Sequence, residues 1–157
     1  MKRRIVATVA ASMVIASALI ASGAGAAAAA DPTAIVAGGY TYTNSGGGHR
    51  SASISATGST PIKGAWSWQD RRGPVTCLVV DGLDAWLAGP GTTGPDTGVF
   101  IHVHDGGAPG TADDTATAWG QDPGQPFAEL LDWCEAQATH VPLFPLDSGN
   151  VTVRERP

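Results

Sequence analysis

Polar and small apolar residues alternate through His49–Thr57, where Ser51, Ser53 and Ser55 interleave with Ala52, Ile54 and Ala56. A period of two is the signature of a half-buried strand. Residues 40–43, aromatic and β-branched, predict a second short strand, and residues 64–70 a third with Trp66 and Trp68 on one face. Residues 75–80 are apolar on both faces and predict a central strand. Asp81-Gly82, set between apolar runs, then predicts a hairpin with residues 83–88 as the return strand. Residues 99–104 read as a strand running into an acidic, glycine-rich turn that reaches Asp114, and 115–119 as one more short strand. Only residues 126–136 carry helical spacing, with Phe127, Leu130, Leu131 and Cys134 on one side, Pro126 at the first turn and Glu129 early. Residues 141–146 are extended by their prolines, 148–150 turn, and 151–154 form a closing strand. Residues 31–37 read as a frayed start, and 44–48, 58–61, 71–74 and 89–98 as turns or loops. The expectation is an all-β, antiparallel sandwich or barrel of about seven or eight short strands, with one short helix near 126–136.

The first thirty residues follow a different pattern. Lys2, Arg3 and Arg4 precede an apolar run from Ile5 to Ile20 and then alanine- and glycine-rich residues to Ala30. A basic start, a short apolar run and small residues before a cut define a secretory signal peptide, and the run is too short to span a bilayer. Residues 31–157 are then one exported β domain, a length sufficient for one core. Without the leader, six basic residues face fourteen acidic ones, a net charge of −8. That balance argues against nucleic acid or an anionic membrane as partner, since phosphate binding needs a basic face. In an oxidising compartment Cys77 and Cys134 are expected to form one disulfide.

Three constellations carry candidate chemistry. His102 and His104 alternate on one strand, so both imidazoles emerge on one face and could hold zinc with a third ligand from His49, His140 or Asp105. The plainer reading is a solvent-facing polar row. Asp105, Asp113 and Asp114 bracket a glycine-rich loop that could hold calcium; the favoured reading is that Asp105 and Asp113 cap and cross-link the turn by accepting backbone N–H bonds. Trp66, Trp68 and Trp86 could form a platform for sugar rings or a cell-wall polysaccharide, although tryptophans on such strands more often fill a core. No nucleophile elbow, phosphate loop or dinucleotide motif is present in the sequence.

The pieces Lys63-Gly64-Ala65-Trp66, Cys77-Leu78-Val79-Val80-Asp81-Gly82, Asp105-Gly106-Gly107-Ala108-Pro109-Gly110 with Asp113, and Ser148-Gly149-Asn150-Val151-Thr152-Val153 occur in this order. Together they resemble small exported bacterial proteins and appended modules of the post-COAP type, over about residues 38–153. The resemblance implies a compact β domain with no established catalytic role; His102 and His104 are not part of its pattern. The expected function is therefore a non-enzymatic extracellular or cell-envelope module. Its alternatives are a carbohydrate- or wall-binding module using exposed tryptophans and a metal-binding protein using His102 and His104.

Overall fold

The computed structural model describes residues 34–59, 61–93, 97–107 and 113–155. The leader read over residues 1–30 lies outside them. The described chain forms nine strands: β1 (Ile35–Thr43), β2 (His49–Thr57), β3 (Lys63–Trp68), β4 (Arg71–Pro74), β5 (Cys77–Asp81), β6 (Asp84–Gly89), β7 (Val99–His104), β8 (Thr115–Gly120) and β9 (Phe144–Arg154). One helix, α1 (Phe127–Glu135), lies between β8 and β9. The strands make one antiparallel sheet in the order β4-β3-β2-β1-β9-β8-β7-β6-β5, curled into a half-barrel. The all-β class with a single helix is as the patterning predicts.

The sheet is two meanders joined by the last strand. β9 pairs with β1 from Ile35 opposite Arg154 to Tyr42 opposite Leu146, with a bulge at Thr41/Tyr42. It pairs with β8 only through Thr115–Pro145 and Ala116–Phe144. A bulge adds bend and twist, and here it lets one strand leave the first meander and join the second. The two outer ends of the sheet also meet. Thr92 donates its backbone N–H to the Arg72 carbonyl at 2.9 Å. A side chain at Gly73 would lie 1.9 Å from the Pro90 carbonyl oxygen, and one at Gly89 would lie 2.0 Å from that of Pro74. Only glycine permits backbones to approach this closely.

Curling gives the sheet an inside and an outside. The inside is filled by Val36, Tyr40, Tyr42, Ile54, Trp66, Leu78, Leu87, Ile101, Val103, Val151 and Val153. A second core lies on the outer face of β5–β7, where Trp86, Ala88 and Phe100 pack under Leu130 and Cys134 of α1 and under Val141. The Cys77–Cys134 disulfide ties α1 to β5 and closes 57 residues of chain.

The strand boundaries depart from the patterning at four places. β1 begins at Ile35 and not after a frayed segment, because Val36 and Gly38 pair with Val153 and Val151 of β9. Residues 71–74 form a strand and not merely a turn: Gln69, at φ 59°, reverses the chain within two residues and Arg71 pairs with Trp68. The hairpin turn is Gly82-Leu83, one residue later than Asp81-Gly82, with Gly82 at φ 61° and Asp81 opposite Asp84. Residues 144–154 are one continuous strand, because Gly149 at φ 93° is accommodated inside the ladder opposite Tyr40.

Candidate functional site

The acidic turn has a structural task. Past residue 150, β9 has β1 on one side and, among the described residues, no strand on the other. There the Asp114 carboxylate accepts the N–H groups of Val151 (3.1 Å) and Gly106 (2.9 Å), and Asp105 accepts those of Val153 (2.9 Å) and Gly107 (2.9 Å). Both aspartates are buried. Two side chains thus stand in for a missing strand and close the seam between the meanders. Asp113 is exposed, its backbone tight against Gly106. Residues 108–112 of this turn lie outside the described residues.

The two histidines meet a carboxylate that the patterning did not single out. Asp84 of β6 lies opposite His104 and next to the Trp86–His102 pair. Its Oδ1 is 2.9 Å from His102 Nε2 and its Oδ2 3.1 Å from His104 Nδ1. A carboxylate offers only acceptors, so both rings donate to it. Trp86 stacks on His102 at 4.6 Å and 17°, and His102 Nδ1 is buried without a hydrogen-bond partner. Burial lowers the His102 pKa below the usual histidine range, against the opposing pull of Asp84. His104 is about one-third exposed. His49 hydrogen-bonds Thr43 and sits 3.4 Å from Asp147, while His140 stands edge-on to Trp133. Among the described residues, no three of His, Cys, Asp and Glu are arranged to hold a metal ion.

The tryptophans do not share one exposed face. Trp66 is 2% exposed inside the curl and donates its indole N–H to the Pro74 carbonyl at 3.0 Å. Trp86 is 6% exposed beneath α1, its indole N–H on the Ala138 carbonyl at 3.3 Å. Trp68 is half-buried near the open end of the curl. The exposed indole is that of Trp119, at 42%.

Trp68 and Trp119 both line a cleft of about 450 Å³ along the stretch of β8 that β9 does not cover, Trp68 from the inner face and Trp119 from the outer one, where it lies opposite Phe100 and edge-on to Trp133 at 6.4 Å. The inward phase of β2 runs Ala56, Ile54, Ala52 and then Arg50; that of β3 and β4 runs Trp66, Trp68 and then Arg71. At the mouth of the half-barrel, the apolar inner face therefore ends in two guanidinium groups. Arg71 packs 5.7 Å from the Trp68 ring centre, its Nη1 buried against Gly120 without a hydrogen-bond partner. Neither Arg50 nor Arg71 has a carboxylate within ion-pair distance among the described residues. Below them Tyr42 accepts the Ala118 N–H at 3.0 Å and stacks on Phe144 at 5.9 Å. Burial raises the Tyr42 pKa above the usual tyrosine value, partly offset by the Trp68 and Ala118 donors and the Arg50 charge. Gln121, at the same mouth, accepts the Gly98 N–H and donates to the Gln125 carbonyl.

Arg50 was legible as a charge in phase with Ala52, Ile54 and Ala56. Arg71 was not, because its segment reads as a turn. No family model, curated protein or solved structure matches the chain.

Proposed function

We propose that the protein is an exported, non-enzymatic β module that binds a small extracellular or cell-wall ligand in the cleft at the mouth of its half-barrel. One observation carries this reading: charged and aromatic side chains occupy the inward phase of the sheet at the one end where the curl opens onto a cleft of about 450 Å³. An inward-facing charge costs desolvation, so its place at the mouth suits a ligand. The volume lies in the range of small-molecule sites, which favour the mouths of β-barrels. The carbohydrate reading moves with the structure from Trp66 and Trp86, both buried, to Trp68 and Trp119. The His102–Asp84–His104 cluster has its carboxylate already engaged by both imidazoles, which suits anchoring β6 to β7.

The test is a thermal-shift screen of the mature, disulfide-intact protein against soluble fragments of wall and extracellular polysaccharides. A ligand that binds only the folded state raises the melting temperature with concentration. The expected result is such a rise for a subset of fragments, abolished by Trp119→Ala. Conversion of any fragment to product, or a rise untouched by Trp119→Ala, contradicts the reading.

A further inference from the structure

We infer that the ligand of this cleft is an acidic sugar, its carboxylate held between Arg50 and Arg71 and its ring against Trp119 and Trp68; the inference rests on the cleft being a binding site. Three observations lead to the class. First, the chain carries a net charge of −5, and −8 without the leader, yet two of its few cations stand at one cleft with no carboxylate within ion-pair distance among the described residues. A guanidinium presents a planar fork of donors that matches a carboxylate, and an unpaired one lined up with a cavity is organised to receive an anion. Second, Asp122 stands at the same rim, which leaves the cleft with a net charge of +1. That balance suits a monoanionic carboxylate better than a dianionic phosphate. The acidic remainder of the surface repels a densely charged polymer. Third, flat apolar groups line the same cleft: the half-buried Trp68 and the Tyr42–Phe144 stack on the inner side, and at its outer lip the 42% exposed Trp119, edge-on to Trp133. Aromatic rings bring large contact area with a polar edge, a surface that an inorganic anion does not use and a sugar ring does. Arg71 adds the donor Nη1, buried at Gly120 without an acceptor among the described residues.

The experiment is calorimetric titration of the mature, disulfide-intact chain with galacturonic and glucuronic acids and their disaccharides, beside galactose, glucose and inorganic phosphate. The expected result is saturable binding of the uronates that weakens with salt, with no binding of the neutral sugars and weaker binding of phosphate. Arg50→Gln and Arg71→Gln should each weaken uronate binding about tenfold, the loss of one charge-assisted contact. Near-UV circular dichroism verifies that Arg71→Gln remains folded; Arg50→Gln, which removes no buried nitrogen, keeps the question answerable if it does not. Neutral sugars binding as tightly as uronates, with Trp119→Ala abolishing both, would overturn the carboxylate assignment and leave the binding module standing. Phosphate binding as tightly as the uronates would overturn the sugar assignment alone. Uronate binding unchanged in both arginine variants would overturn the inference. If no compound binds, the inference fails, and the binding reading falls with it if the polysaccharide-fragment screen is also blank.

Discussion

The two halves of the sheet solve the same problem with different amounts of cover. In β2 the exposed and buried positions alternate, with serines outside and Ala52, Ile54 and Ala56 inside. In β7 five successive residues, from Val99 to Val103, are buried. A strand with one wet face needs only the inside of the curl to bury its apolar row, whereas a strand apolar on both faces needs a second layer. The chain supplies that layer once, as α1, and fastens it to β5 with the disulfide. This contrast explains why the described residues, otherwise built of strands, include one short helix, and why the cleft lies where it does. The cleft opens where the doubly covered half ends and β9 crosses to the singly covered one.

The strongest way to break this comparison is at the second layer. Phe100 is fully buried on the outer face and edge-on to Trp133 at 5.8 Å. Phe100→Ala is expected to cost about 3–5 kcal/mol in denaturant unfolding, the usual range for a buried aromatic truncated to alanine. A cost below about 1 kcal/mol would mean that the helix does not seal this face.

Cys134→Ser removes a link closing 57 residues, for which the chain-entropy model gives about 4 kcal/mol, with strain usually reducing it. Hydrogen exchange sharpens the test: amides of α1 should lose protection while those of β1–β3 keep theirs. Equal loss throughout would show that the two halves are one cooperative unit with respect to the helix.

Asp114→Asn acts at the seam. An amide offers one acceptor oxygen and turns a donor toward the other N–H, leaving either Gly106 or Val151 unmatched. The expected cost is about 1–3 kcal/mol, with the first loss of exchange protection at Val151 and Gly106.

The smallest effect is pH-dependent. His102 has a folded-state pKa below its unfolded value, so between the two values the unfolded chain holds a proton that the folded chain does not. Its contribution to stability is complete above about pH 6.5, the unfolded histidine value, and is lost as pH falls from there toward the folded value. Melting temperatures measured across this window should fall on acidification, and His102→Gln should flatten the slope. A slope unchanged by the substitution would remove His102 from the account.

Local pattern was enough for the class, the helix and most strands, because alternation in β2 and the apolar run of β5 record how many faces are covered; in β7 the face of His102 and His104 reads as a solvent-facing row, whereas Trp86 and Asp84 cover His102 to 4% exposure. It was enough for the disulfide, since two cysteines leave one pairing. It also favoured the capping role of Asp105, whose oxygens are spent on backbone donors, but paired it with Asp113, which is exposed, where the structure uses Asp114. What it lacked was register. Asp84 meets His102 and His104 only because Trp86 of β6 falls opposite His102, and the intervening residues 90–98 carry no signal that sets this. β4 was hidden because Arg-Arg-Gly-Pro has turn composition, and with it went Arg71 and half of the cleft's charge. The burial of Trp66 and Trp86 in two separate cores depends on the curl and on α1, neither of which leaves a local mark.

Ligand binding in the cleft between the two halves would be reported by the indoles that line it. The most direct measurement is a ¹⁵N–¹H spectrum of the tryptophan indoles of residues 31–157 during titration with a uronic acid. The account predicts that the Trp68 and Trp119 resonances move while those of Trp66 and Trp86 stay in place. Shifts centred on Trp86, beside His102, or an unmoved spectrum at saturating uronate would contradict it.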